Sequence, residues 1–73
     1  TKVNELIAPM PGLIIAIPVE VGQKINKEDP LVILEAMKME NILTSPVDGI
    51  IESINVTVQQ TVEKNSILIK FEE

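Results

Sequence analysis

The sequence predicts an all-β fold in which two sheets pack face to face as a sandwich or closed barrel. Three observations carry this. The apolar residues, 45% of the chain, are dominated by Ile and Val, with Phe71 the single aromatic. β-Branched side chains are stiff at χ1 and pack well on a pleated surface. The chain also repeats itself after 37 residues. Finally, its apolar runs are short and separated by turn residues at regular intervals, as in sandwiches and barrels.

The repeat lays APMPGLIIAIPVEVGQKINKEDPLVILE (8–35) over SPVDGIIESINVTVQQTVEKNSILIKFE (45–72) without a gap. Pro9 meets Pro46, Gly12 meets Gly49, Ile14 meets Ile51, Val19 meets Val56, Leu31 meets Leu68 and Glu35 meets Glu72. Two copies are too few for a solenoid. They predict two matching halves of one domain, neither able to bury its apolar face alone, packed sheet on sheet.

Each half has the same order of elements. A long strand comes first, GLIIAIPV (12–19) or GIIESINV (49–56), the second alternating except where Glu52 interrupts an apolar face. A turn follows at Val21-Gly22-Gln23 or Val58-Gln59-Gln60. Gly22 suits positive φ, whereas Gln59 at the matching place would be strained by about 1 kcal/mol, so a differently shaped second turn is expected. Short strands come next (24–26 and 61–63), then polar turns (27–29 and 64–66). The last strand is Leu31–Glu35 or Ile67–Glu72. Pro30 can occupy the first position of its strand, where no ladder donor is needed. Gly12, Gly22 and Gly49 read as structural.

Seventy-three residues make one domain, 1–73, with a modest core. The chain opens at Thr1 almost directly into structure, and it is expected to be the C-terminal part of a longer polypeptide. Its net charge of −5 argues against nucleic acid and against anionic membrane surfaces. No apolar run is long enough to insert into a bilayer, and no signal-peptide pattern opens the chain. With no Cys, a reducing intracellular setting is permitted: cytoplasm or, in a eukaryote, the mitochondrial matrix. His, Tyr, Trp and Arg are also missing, and all six basic residues are lysines. That removes the commonest acid–base residue, the best metal ligands and the usual nucleophile–base pairs. Autonomous catalysis and a metal site are not expected.

The seam between the repeats reads LEAMKMEN (34–41). Glu35 to Glu40 are good helix formers, yet a helix of about six residues is too short to persist on propensity. The apolar runs on either side predict a hairpin with Met37-Lys38-Met39 at its tip. In an extended tip side chains alternate. Lys38 would then point into water while Met37 and Met39 lie back on the flanking strands.

At this seam the chain resembles the biotinyl, or biotin carboxyl carrier, domain of biotin-dependent carboxylases and decarboxylases. Glu35-Ala36-Met37-Lys38-Met39-Glu40 is similar to the family's EAMKM attachment motif. APMPG (8–12), EVGQK (20–24) and SPVDG (45–49) extend the likeness over nearly the whole chain. The resemblance implies a flattened β-barrel of two four-stranded antiparallel sheets with pseudo-two-fold symmetry. The lysine hairpin would lie at one end and both chain termini at the other. Some family members insert a protruding thumb before the EVGQK-like segment. The repeats here align without a gap across Ile17 to Val21, so no thumb is expected. That favours propionyl-CoA, methylmalonyl-CoA, pyruvate or oxaloacetate systems over acetyl-CoA.

The resemblance further implies covalent biotin on Lys38, attached by a biotin protein ligase. The tethered group would then serve a biotin carboxylase and a carboxyltransferase or decarboxylase. Lysine amines are mostly protonated and weakly nucleophilic at neutral pH, so activation falls to the ligase, which presents biotin as an acyl-adenylate in this family. Met37 and Met39 can be read as flexible apolar filler or as recognition residues for the partner enzymes. Glu35 and Glu40 read as solvated carboxylates within the recognition motif, alongside Ala36. A lipoyl domain shares the fold and a lysine-tipped hairpin, but there Asp and Ala typically flank the lysine. An unmodified β interaction module would leave the Met-Lys-Met tip unexplained.

Overall fold

The computed structural model describes residues 4–72. Eight strands succeed one another: β1 (Glu5–Ile7), β2 (Gly12–Ala16), β3 (Lys24–Ile25), β4 (Pro30–Ala36), β5 (Met39–Thr44), β6 (Gly49–Ile54), β7 (Thr61–Val62) and β8 (Ile67–Phe71). They form two four-stranded sheets, β1-β8-β6-β3 and β5-β4-β2-β7, with every pairing antiparallel. The expected barrel of two four-stranded sheets is what the chain builds. The connection from β2 to β3, residues 17–23, carries no thumb.

The 37-residue repeat relates the sheets to each other. β1, β8, β6 and β3 correspond in order to β5, β4, β2 and β7. The halves do not each make one sheet, however. β7 of the second half pairs with β2 of the first through Gly12↔Val62 and Leu13↔Thr61. β3 of the first half pairs with β6 of the second through Lys24↔Ile50 and Ile25↔Gly49. The halves interlock by exchanging their short strands, which covers one edge of each sheet's long strands. Exposed edges invite pairing with other chains, and the exchange leaves fewer of them.

The core follows the same two-fold relation. Ile14 and Ile51, Val19 and Val56, Ile25 and Val62, Leu31 and Leu68, Val32 and Ile69, and Leu34 and Phe71 are all buried. Each pair is related by the repeat, so the apolar positions matched in sequence are those that meet inside. Ser45, the partner of buried Ala8, is also buried. Its hydroxyl donates to the Val47 carbonyl at 2.6 Å, which satisfies the polar group without outside help.

The turns also match. Gly22 N–H donates to Ile51 O at 2.8 Å, and Ile51 N–H donates to Gln23 O at 3.0 Å. The related bonds are Gln59 N–H to Ile14 O at 2.8 Å and Ile14 N–H to Gln60 O at 2.9 Å. Gln59 adopts φ 75° and Gly22 φ 88°. The expectation of a differently shaped second turn is therefore corrected. Two ladder-like bonds to Ile14 of β2, one donated by Gln59 N–H and one accepted by Gln60 O, hold the turn with Gln59 in the left-handed region. A side-chain bond from Thr57 N–H to Gln60 Oε1 at 3.0 Å closes the turn as Glu20 N–H to Gln23 Oε1 does in the first half, also at 3.0 Å. Tertiary bonding outweighs the conformational cost.

Strand bounds differ modestly from expectation. β2 and β6 stop at Ala16 and Ile54 rather than Val19 and Val56, because the chain leaves the ladder there to cross between sheets. β4 starts at Pro30, as the missing donor allows, and runs on to Ala36.

Candidate functional site

The β4–β5 hairpin is the longest ladder in the molecule, in register through Ile33↔Ile42, Leu34↔Asn41, Glu35↔Glu40 and Ala36↔Met39. It closes through only two residues, Met37 at φ 55° and Lys38 at φ 64°. Positive φ at both central positions is what a type I′ hairpin turn requires, and its twist matches that of the strands. Asn-Gly is the usual solution. Met and Lys are held there at a cost of roughly 1–2 kcal/mol each, with the paired strands supplying the constraint. The tip is therefore a tight turn and not the extended segment expected from sequence.

This geometry corrects the placement of the methionines as well. Met37 is 90% exposed and Met39 65%, so neither lies back on the strands. Met37 has left the ladder, and the inward position beneath the turn belongs to Ala36, which is buried. Lys38 is exposed at the apex. Glu35 and Glu40 are also exposed and directly opposite one another. All six residues singled out in the sequence thus converge on one turn and its first two rungs.

Two further residues shape the site without having stood out in that role. Asn41 Nδ2 donates to Met39 O at 3.3 Å and to Leu34 O at 3.4 Å, spanning the hairpin just below its tip. Gly12 lets β2 approach β4 closely: a Cβ there would lie 2.5 Å from Glu35 O. A glycine opening a strand is a sequence signal for such an approach, although it does not say what approaches.

The turn lies at one end of the barrel. Asn65 N–H donates to Ala8 O at 2.8 Å, and Ala8 N–H to Ser66 O at 2.9 Å, just before β8 begins. Four residues later Gly12 packs on Glu35 near the end of β4. Four residues span at most about 14 Å, so β8 starts at the end where β4 finishes. β8 then runs away from that end, and Phe71 N–H donates to Asn4 O at 2.8 Å. Asn4 and Phe71 therefore meet at the end opposite Lys38.

Such a site offers one reactive group, a primary amine on a flexible four-carbon stem at the apex of a braced turn. Among the described residues no group of three or more His, Cys, Asp or Glu could hold a metal ion. Among the same residues no helix is long and apolar enough to cross a membrane. An exposed amine suits amide formation with the carboxyl group of a cofactor such as biotin, and the surroundings neither bury nor block it.

Comparison with known proteins agrees with this geometry. The family described as "Biotin-requiring enzyme" matches residues 4–71. Over 38 residues the chain is 58% identical to the propionyl-CoA carboxylase alpha chain of Ruegeria pomeroyi, covering 52% of this chain and 6% of that one. It is 55% identical over 38 residues to the biotin carboxyl carrier protein of Streptococcus mutans, covering 52% and 29%. With the methylmalonyl-CoA decarboxylase subunit gamma of Propionigenium modestum it shares 59% over 34 residues, covering 47% and 25%. Among solved structures, a single-chain, multi-domain long-chain acyl-CoA carboxylase superposes with TM-score 0.85 at 29% identity, over 90% of this chain and 6% of that one. The urea carboxylase of Kluyveromyces lactis gives TM-score 0.87 over 93% of this chain and 6% of that one, and at 22% identity bears on the fold alone. The aligned regions amount to between 6% and 29% of these curated relatives. With the family match running over nearly its whole length, the chain belongs to the biotin-requiring enzyme family.

Proposed function

We propose that this chain is a biotin carboxyl carrier domain and that Lys38 carries the biotin. The observation that supports this most is the placement of Lys38 on a two-residue positive-φ turn, exposed at the barrel end remote from Asn4 and Phe71. Acylation there disturbs no packed side chain.

Lys38 Nζ must first lose a proton. The turn supplies no imidazole or thiolate base, so deprotonation falls to the biotin protein ligase. The amine then attacks the acyl carbon of biotinyl-adenylate, an amide forms and AMP leaves. One positive charge disappears, so the formal net charge of −5 becomes one unit more negative. Once attached, biotin supplies the group-carrying chemistry. The domain holds the end of the tether on rigid strands and raises the local concentration of its load at successive active sites. Glu35, Met37, Met39 and Glu40, set by the buried Ala36 beneath the turn, form the surface read by the ligase, by a biotin carboxylase and by a carboxyltransferase or decarboxylase, on the same chain or another. The short β2–β3 connection supports propionyl-CoA, methylmalonyl-CoA, pyruvate or oxaloacetate systems over acetyl-CoA, and two relatives carry the first two acyl-CoA names. An intracellular location accords with an ATP-dependent ligase.

Intact mass before and after incubation with biotin, ATP and a biotin protein ligase tests this reading. One biotinyl group is gained, and none by Lys38→Arg. No gain, while a known acceptor is modified in parallel, would bring forward a lipoyl carrier or an unmodified interaction module.

A further inference from the structure

We propose that Met37 and Met39 form an oxidation-sensitive pair, and that their conversion to sulfoxides by peroxide reversibly closes Lys38 to acylation. The inference rests on the reading of Lys38 as the attachment site.

The chain contains no Cys, Trp, Tyr or His. Methionine sulfur is therefore its most readily oxidised side-chain group. There are three methionines. Met10 is partly buried and packs against the core. The other two flank Lys38 and stand in solvent, 90% and 65% exposed. Peroxide thus meets the tip of the hairpin first.

The chemistry is a two-electron oxygen transfer. The thioether lone pair attacks the O–O bond of hydrogen peroxide, one oxygen passes to sulfur, and water leaves. Sulfur is oxidised and the peroxide is reduced. An apolar, flexible side chain becomes polar and chiral. Any apolar surface on the ligase that receives Met37 or Met39 must then bury an S=O dipole, which is unfavourable without a new hydrogen bond. The new oxygen also offers an acceptor to the neighbouring Lys38 ammonium and competes for the group that has to react. The fold does not depend on either side chain, since both project outward, so the loss occurs in a folded domain. Thiol-dependent methionine sulfoxide reduction returns the thioether and with it the acceptor.

The test treats the chain with hydrogen peroxide, removes the excess with catalase, and maps oxidation by peptide mass spectrometry. Biotinylation by the ligase is then followed by intact mass, and folding by circular dichroism. Oxygen is expected on Met37 and Met39 well before Met10. The biotinylation rate falls about tenfold or more with an unchanged spectrum, and methionine sulfoxide reductase restores it. Met10→Leu shows the same fall. In a Met37→Leu/Met39→Leu variant, whatever its own starting rate, treated and untreated samples react equally fast. Undiminished biotinylation of the doubly oxidised chain would overturn this inference alone, as would oxidation of Met10 ahead of the pair. Failure of the untreated chain to accept biotin would overturn both this inference and the assignment of Lys38.

Discussion

Gly12 and Glu35 are locked together by the absence of a side chain. A Cβ on Gly12 would sit 2.5 Å from the Glu35 carbonyl oxygen and 3.0 Å from Leu34 Cδ1. The leucine methyl can turn aside, but the carbonyl belongs to the ladder that carries the lysine turn and cannot.

Gly12→Ala is therefore expected to destabilise the domain by about 1–3 kcal/mol, the usual range for overpacking. In a domain this small each kcal/mol lowers Tm by roughly 4–8 °C. Gly49 is the control. It is related to Gly12 by the repeat, yet a Cβ there meets nothing within 4 Å. Gly49→Ala should leave Tm unchanged or slightly raised, and thermal unfolding of the two variants side by side checks both.

Gln59 occupies the turn position that Gly22 fills in the other half, at φ 75°. Gln59→Gly removes left-handed strain of about 1–2 kcal/mol and adds unfolded-chain entropy of about 0.5–1 kcal/mol. The net expectation is a gain of roughly half a kcal/mol by the same two principles, read from denaturant unfolding. Its side chain is exposed, so no packing is lost.

Met37 is expected to trade stability for recognition. Asn is favoured at the first central position of a type I′ turn. Met37→Asn should therefore raise Tm while lowering the rate of biotinylation. Both are measured on one sample, and a rise in both would assign Met37 no part in recognition.

Glu35 and Glu40 oppose one another as like charges across the hairpin, an arrangement that destabilises a sheet. Glu40→Gln should raise Tm slightly at low salt, with the gain shrinking as ionic strength rises. A salt-independent gain would point to a cause other than charge.

Much of this fold was legible because matched apolar residues at a fixed offset must play matched roles. Ile14 with Ile51 and Leu34 with Phe71 could be paired from sequence, and both pairs are buried. The exchange of β3 and β7 was not legible. A repeat says which residues are equivalent, not which copy a strand pairs with. Residue preference alone argues against Gln59 at positive φ, and the bond to Ile14 that holds it there comes from a distant strand. At the site, the six motif residues were legible by type and position, but the conformation of the tip was not. Met-Lys carries no Asn or Gly to announce positive φ, and the register of β4 on β5 imposes it.

The most direct measurement locates the modification. The chain is incubated with ligase, biotin and ATP, and fragmented for tandem mass spectrometry. All of the biotin should be on Lys38, with none on Lys24, Lys27 and Lys64, the other lysines exposed among the described residues, which lack a two-residue positive-φ turn. Biotin on any of these, or spread among them, would contradict the assignment.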